Sequence, residues 1–148
     1  MTSTVAGQSS GMGVNCMADI DVVIADDQPL SLIGMRSAVA DQGDIRILAE
    51  CDNQQLLVAA VRSHPPDVLL VSAEILDDEL GAVKQLISHT RKKTRVIVVT
   101  SHRDPGFLDG ALQCGAKWVI HTEGPVEEIP TAIRKVTSGG VWHERAAA

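Results

Sequence analysis

The sequence predicts an α/β domain in which helices cover both faces of one parallel sheet, as in a three-layer sandwich. Three observations support this prediction. Short apolar runs alternate with helical patterns from Asp19 onward and give five strand-then-helix units. The run DVLLVS at residues 67–72 is apolar without alternation, which is typical of a strand that is buried on both faces. The length of 148 residues suits one domain of ordinary size.

The predicted elements follow in order along the chain. Pro29 and Pro105 lie where first helical turns are expected, and Asp104 is the expected N-cap residue of its helix. The pair Pro65 and Pro66 ends the second helical pattern, because proline disfavours a helical conformation in the residue before it. The predicted strands are residues 21–26, 45–51, 67–72, 94–100 and 117–121. The predicted helices are residues 29–41, 54–63, 79–90, 104–113 and 125–138.

Composition narrows the class of protein. Hydrophobic residues make up 45% of the chain and charged residues 22%, as in a soluble globular protein, and the aromatic share of 2% implies an aliphatic core. A net charge of −6 argues against DNA binding by this chain alone, because DNA binding needs a positive surface. Three widely spaced cysteines without a CxxC pair favour a reducing compartment over a disulfide framework or a zinc site. With no signal peptide and no apolar stretch of membrane-spanning length, we predict a cytoplasmic protein.

The chain divides into three predicted parts. Residues 1–18 are small and polar and form an expected flexible segment, within which Met17 is an alternative start. Residues 19–142 form the predicted domain. Residues 143–148 end in three alanines and are the expected beginning of a linker, or an appended tail.

An acidic pair marks the first candidate site. Asp26 and Asp27 directly follow an apolar strand, and ligands of open parallel sheets bind where the strands end. Two adjacent carboxylates suit Mg²⁺, a cation that prefers oxygen ligands. The same pair also suits a turn that caps the following helix, since Asp27 lies two residues before Pro29. The local sequence favours neither interpretation.

The string VVIADDQPLSLIGMRSAV resembles the opening of bacterial two-component receiver domains, in particular those of LuxR/NarL-type response regulators. HPPDVLLV, RVIVVTSHRDPGFLDGALQCGAKW and VEEIPTAIRKVTSGGVW are similar to later parts of the same domains, so the resemblance covers nearly all of residues 19–142. It implies a flavodoxin-like (CheY-like) fold with strand order 2-1-3-4-5 and five helices. It also implies a role in signal transduction and transcription regulation, and not an enzyme.

The resemblance assigns roles to individual positions. Asp26 and Asp27 match the acidic Mg²⁺-binding pair, and Thr100 matches the switch hydroxyl that ends the fourth strand. The phosphoryl-accepting aspartate is expected at the end of the third strand, where this chain has Ser72. The site therefore resembles a degenerate phosphoacceptor site at which no cofactor is required and Mg²⁺ binding is weak.

The fifth strand departs from the family pattern as well. The family places a lysine at its end, where this chain has His121 or Thr122, depending on the position of a one-residue gap. Trp118 lies near the family's switch aromatic, but packing against the preceding helix explains it equally. His121 is either a pH-sensitive group near the acids or a neutral strand-end histidine.

Ser72 and Glu74 each allow two interpretations. Ser72 is either a phosphoserine site or a small polar residue that bonds to the backbone or to Asp27. Glu74 either directs a fixed negative charge toward the site or is an exposed loop residue.

Three functions remain in competition. The first is a receiver that works without phosphorylation, and the second is a phosphoacceptor domain that uses an atypical residue. The third is a small enzyme or nucleotide binder of the same architecture, against which the chain has no GxGxxG motif and no P-loop. We expect a homodimer or a partner protein to contact the surface within residues 104–138, or the first and last helices. We expect DNA to be bound only by a helix-turn-helix domain encoded downstream.

Overall fold

A computed structural model describes residues 20–76, 93–101, 104–113 and 115–139 of the chain. Five parallel strands form one sheet in the order β2-β1-β3-β4-β5, as the resemblance implies. The strands are β1 Ile20–Ala25, β2 Ile45–Cys51, β3 Val68–Ser72, β4 Arg95–Thr100 and β5 Ala116–His121. Each lies within one residue of its predicted bounds.

Four helices lie within the described residues. They are α1 Pro29–Ala40, α2 Gln54–Ser63, α3 Pro105–Gln113 and α4 Glu128–Thr137. Five helices were predicted, and the structure describes four of them. The predicted helix at residues 79–90 lies outside the described residues. The predicted segments 1–18 and 143–148, and Cys114, lie outside them as well.

The three central strands form the most deeply buried part of the domain. Every residue of β3 is buried, and so are the last four residues of β1 and the last five of β4. Parallel neighbours need crossover connections, and the helices of these crossovers cover both faces of the sheet. The apolar strands without alternation therefore lie where the sequence predicts them.

The helices divide between the two faces of the sheet. Buried residues of α2 and α3 share one apolar cluster with one set of strand side chains. Buried residues of α1 and α4 share the second cluster with the alternate set, and α1 also contacts α4 directly. Both clusters are dominated by Val, Ile, Leu and Ala, as the low aromatic content predicts.

The helix beginnings mostly follow the predicted signals. Pro29 and Pro105 are the first residues of α1 and α3, and the Asn53 Oδ1 atom accepts a hydrogen bond from the Leu56 amide at 2.8 Å at the start of α2. The last helix starts three residues later than predicted. Two short-range backbone bonds, from Glu128 to the Pro125 carbonyl and from Ile129 to the Val126 carbonyl, form a turn before α4.

A bidentate ion pair joins the last helix to the beginning of β2. The Nε and Nη2 atoms of Arg134 donate to the two carboxylate oxygens of Asp44, each at 2.9 Å, and Nη2 also donates to the side chain of Gln42. The hydrogen bond to Arg134 lowers the pKa of the Asp44 carboxyl. This ion pair holds α4 against the turn that follows α1. Among the described residues, no helix is long and apolar enough to cross a membrane.

Candidate site at the carboxyl end of the sheet

Among the described residues, Asp26 has the most buried carboxyl group at the carboxyl ends of the strands. It follows β1 directly, its residue is 3% exposed, and its Oδ1 atom accepts a hydrogen bond from the Gln28 amide at 2.9 Å. Burial raises the pKa of Asp26, the bond from Gln28 opposes that rise, and the nearby carboxylates of Asp27 and Glu74 add to it. Asp27 is exposed. The sequence leaves two interpretations of the acid pair, a cation site and a turn before α1. The hydrogen bond from Gln28 to Asp26 is a direct contact of the second kind.

Ser72 ends β3 in the centre of the sheet and is 1% exposed. Its Oγ atom accepts a long hydrogen bond of 3.4 Å from the amide of Ile75, within the turn at residues 73–76. The hydroxyl is thus bonded to the backbone of the loop that follows its own strand, one of the two possibilities that the sequence leaves open. Ile75 could not be identified as the donor from the sequence, because loop geometry has no clear sequence signal here.

Ile75 and Leu76 belong to the buried core, whereas Glu74, directly before them, is exposed. The amide of Leu76 also donates to the carbonyl of Ala73 at 3.1 Å and closes the turn. Two apolar anchors therefore hold the first part of this loop against the domain. Glu74 lies on the exposed side of the loop and still acts on Asp26 through its charge.

Thr100 and His121 end neighbouring strands and are partners in the parallel register of β4 and β5. Thr100 is fully buried, and its carbonyl accepts a hydrogen bond from the Thr122 amide at 3.0 Å. His121 is the last residue of β5, whereas Thr122 lies in the following exposed turn. Within the described part of the chain, the Nε2 atom of His121 is buried without a hydrogen-bond partner.

Trp118 lies on β5 at the edge of the sheet and is half-buried against both apolar clusters. The ammonium group of Lys135 on α4 lies 5.9 Å from the centre of its ring. The cluster that it contacts includes Leu108 and Ala111 of α3, so packing against that helix accounts for its position. The contact with Lys135 has no signal in the sequence and was not predicted.

The donor set fits a divalent cation poorly. Asp26 and Asp27 supply two carboxylates, but Ser72 occupies the strand end between β1 and β4 with a hydroxyl that is bonded to its own loop. Within the ranges that the structure describes, no group of three His, Cys, Asp or Glu side chains is arranged to hold a metal ion. Because Mg²⁺ demands near-octahedral oxygen ligands, two adjacent acids alone make a weak site.

The loops at this end of the sheet are acidic. The described connections that follow the strands are residues 26–28, 52–53, 73–76, 101, 104 and 122–127, and they contain no Lys or Arg. Their acidic residues are Asp26, Asp27, Asp52, Glu74, Asp104, Glu123 and Glu127. The described loop residues at the carboxyl end of the sheet therefore contribute a negative electrostatic field.

Comparison with known proteins assigns a family to this arrangement. The model of the family described as response regulator receiver domain matches residues 22–134. The probable transcriptional regulatory protein NarL of Mycobacterium tuberculosis is 26% identical over 81% of this chain and 56% of its own length. The oxygen regulatory protein NreC of Staphylococcus haemolyticus is 29% identical over 82% of this chain and 56% of its own. The chain thus spans little more than half of these relatives.

Solved structures agree with the topology. The signal receiver domain of NarL from Mycobacterium tuberculosis superposes with a TM-score of 0.74 at 26% identity and covers 82% of this chain and 98% of that one. The isolated receiver domain of RcsB from Salmonella enterica, in the presence of a phosphomimetic, has a TM-score of 0.75 at 20% identity. It covers 84% of this chain and 92% of that chain, and at this identity it supports the fold alone.

Proposed function

Because the chain belongs to the response regulator receiver domain family and its relatives are LuxR/NarL-type regulators, we propose that it is a receiver that signals without phosphorylation. In this proposal, protein contacts set its state and a covalent phosphoryl group does not. The observation that carries the proposal is Ser72 at the end of β3, with a buried hydroxyl bonded to the Ile75 amide.

The chemistry of phosphoryl transfer supports this reading of Ser72. Aspartyl phosphorylation needs a carboxylate nucleophile, a divalent cation and positive charge beside the transferred oxygens. A serine hydroxyl is a much weaker nucleophile unless a base removes its proton. The hydrogen bond described for the Ser72 hydroxyl comes from the Ile75 backbone amide, which is a donor and cannot act as such a base.

His121 supplies a second, related argument. It ends β5 beside Thr100 and is one of the two positions, with Thr122, at which the family resemblance expects lysine. One carboxylate and one ammonium are then lost together, so the formal charge of the pocket stays unchanged. Such a paired change is what we expect of a site that no longer handles a phosphoryl group, and Asp26 and Asp27 keep at most weak Mg²⁺ affinity.

The proposal extends to partners and location. We place the functional domain at residues 19–142 of a cytoplasmic regulator, which associates with a second copy or a partner protein through the surface of α3, β5 and α4. Asp104 and Asp109 at α3 and Lys117 and Lys135 on β5 and α4 give this surface charges of both signs. A solved structure of RcsB is a complex with DNA. By analogy, we propose that DNA is bound by a separate domain and not by this acidic chain.

One experiment tests the proposal directly. The ¹⁵N-labelled chain is titrated with Mg²⁺ and beryllofluoride while the amide signals of Asp26, Ser72 and Thr100 are followed by NMR. We expect little or no shift, whereas a receiver that accepts phosphate responds strongly. In parallel, incubation with acetyl phosphate and Mg²⁺ is followed by intact-protein mass spectrometry. A covalent phosphoryl adduct would establish the competing function, an atypical phosphoacceptor.

A further inference from the structure

The imidazole ring of His121 has one buried nitrogen that the described structure leaves without a hydrogen bond. The Nε2 atom is buried and has no partner, although the residue as a whole is half-buried. A neutral imidazole carries its proton on one ring nitrogen, while the other nitrogen is an acceptor. A buried N–H group without an acceptor is costly, so the neutral ring fits this position with its proton on Nδ1.

Uptake of a proton changes what this position requires. The imidazolium ring has an N–H group on both nitrogens, so Nε2 becomes a donor. Within the described part of the chain, the buried position of Nε2 offers that donor no acceptor. The protonated ring is therefore expected to leave the orientation that the neutral ring adopts.

The backbone on either side of the ring is held in place. His121 is the register partner of Thr100, whose carbonyl accepts from the Thr122 amide at 3.0 Å. The His121 carbonyl accepts from the Gly124 amide, also at 3.0 Å, and this bond closes the turn that follows β5. Because these bonds hold the backbone, a change of protonation acts on the side-chain torsions of His121.

A carboxylate lies against the turn that His121 begins. Glu128 is half-buried in the first turn of α4. A Cβ atom added to Gly124 would lie 3.2 Å from the Oε1 atom of Glu128 and 3.3 Å from the His121 carbonyl oxygen. The Glu128 carboxylate and the His121 backbone thus border the same small space beside Gly124, and Glu128 is an acceptor of opposite charge for an imidazolium ring.

The charged groups around β5 differ between its two ends. Among the described elements, β4, α3 and α4 contact β5. Their charged residues, with those of the turn before α4, are Arg95, Asp109, Glu123, Glu127, Glu128, Arg134 and Lys135. Arg95 begins β4, and Arg134 and Lys135 lie in the last turn of α4, so these three cations lie toward the beginning of β5. The described charges at the end of β5, where His121 lies, are therefore carboxylates.

We propose that His121 is a proton-operated switch beside Thr100. In the neutral state, the ring keeps Nε2 buried. When the ring takes up a proton from solvent, it rotates so that the Nε2–H group leaves the buried position and meets the Glu128 carboxylate. Histidine titrates between about pH 5 and 8, so the two orientations exchange in the physiological range. This inference goes beyond the proposed function, because it gives the site two states whether or not the domain accepts a phosphoryl group.

The test is an NMR titration of the ¹⁵N-labelled full chain from about pH 8 to 5. Two-bond ¹H–¹⁵N correlation spectra report the tautomer and the protonation of each histidine ring, and the amide signals of Thr100 and Gly124 are followed in the same samples. We expect the neutral His121 ring to carry its proton on Nδ1. We also expect both amide signals to shift with the same midpoint as the His121 ring.

Variants assign the shifts to His121. His121→Gln keeps a polar side chain that does not titrate in this range, and it is expected to abolish the shifts of Thr100 and Gly124. His102→Gln is the matched control, because His102 follows Thr100 by two residues in the sequence, and we expect it to leave the shifts of both amides with the His121 midpoint in place. Glu128→Gln removes the charged acceptor and is expected to reduce the shift of Gly124. Dispersed amide spectra verify that every variant is folded.

Four results would overturn the inference. The first is a neutral His121 ring with its proton on Nε2, and the second is a ring that stays neutral down to pH 5. The third is a ring that titrates while the amide signals of Thr100 and Gly124 stay still. The fourth is a pair of amide shifts that persists in His121→Gln, which would assign the titration to another group.

Discussion

Thr100 and His121 stand side by side at the carboxyl ends of β4 and β5, joined by the parallel register and by the bond from the Thr122 amide to the Thr100 carbonyl. The switch hydroxyl that the family resemblance identifies is thus beside an imidazole ring. Ser72 ends β3, the strand that neighbours β4 on its other side. The two departures from the family pattern therefore lie on either side of Thr100.

This arrangement predicts that two substitutions together restore phosphorylation. Ser72→Asp returns the carboxylate nucleophile, and His121→Lys returns an ammonium group beside the transferred oxygens. We expect the double variant to gain the mass of one phosphoryl group when it is incubated with acetyl phosphate and Mg²⁺. The carboxylate oxygen attacks phosphorus and acetate leaves.

The single variants and the wild type are the controls for this experiment. We expect no adduct on the wild type or on His121→Lys, and a small or short-lived adduct on Ser72→Asp. Removing Mg²⁺ with a chelator is expected to abolish the reaction of the double variant. An unreactive double variant that is folded and binds Mg²⁺ would show that the loop held by Ile75 and Leu76, not the chemistry of these two positions, blocks the reaction.

Replacing the buried Asp26 with a neutral residue is expected to increase stability in a pH-dependent way. Because its pKa is raised in the folded state, the ionised side chain destabilises the fold at neutral pH. Asp26→Asn keeps an oxygen that can accept from the Gln28 amide and removes the buried charge. We expect the free energy of unfolding in urea to rise by about 1 kcal/mol at pH 7.

Because the pKa of Asp26 is raised in the folded state, its ionisation costs stability only over a defined pH range. The cost of Asp26 grows as the pH rises from the ordinary aspartate value of 3.8 through the raised pKa of the folded state, and it is absent below that window. The gain of the Asn variant is therefore expected to disappear as the pH is lowered toward 4. Asp41→Asn, at the exposed end of α1, is the control and is expected to change stability by less than about 0.5 kcal/mol. An equal gain in both variants would mean that net charge, not burial, is responsible.

Substitutions of two leucines distinguish a buried position from an exposed one. Leu70 in the centre of β3 is fully buried, whereas Leu30 on α1 is largely exposed. We expect Leu70→Ala to lower the free energy of unfolding by about 2–5 kcal/mol, because it leaves a cavity between the sheet and α1 and α4. Leu30→Ala is expected to cost less than about 0.5 kcal/mol. Comparable losses in a urea titration would contradict the burial of β3.

The strands were predictable because a buried parallel strand has a distinctive composition. The runs in β1, β3 and β4 are apolar at nearly every position, and few other elements produce that pattern. The beginning of α4 was less predictable. Pro125 resembles a first-turn proline in the sequence, but short-range bonds form a separate turn and delay the helix to Glu128.

The candidate site was predictable only as a set of positions. The strand order brings Asp26, Ser72, Thr100 and His121 together at the carboxyl ends of neighbouring strands. Which hydrogen bond the Ser72 hydroxyl makes depends on the conformation of the next four residues, whose sequence AEIL carries no turn signal. The exposure of Leu30 and Ile33 also escapes the sequence, because an apolar residue on an amphipathic helix is expected to face the core.

The ion pair between Arg134 and Asp44 spans 90 residues of sequence, so it closes a very long loop of chain. Contacts of such separation form after the folding nucleus, because the entropy of loop closure has to be overcome first. We therefore expect Arg134→Gln to leave the refolding rate nearly unchanged and to raise the unfolding rate two- to fivefold, which corresponds to about 0.4–1 kcal/mol for an exposed ion pair. Stopped-flow chevron plots measure both rates. The pair thus acts on the lifetime of the native state more than on the route by which it is reached.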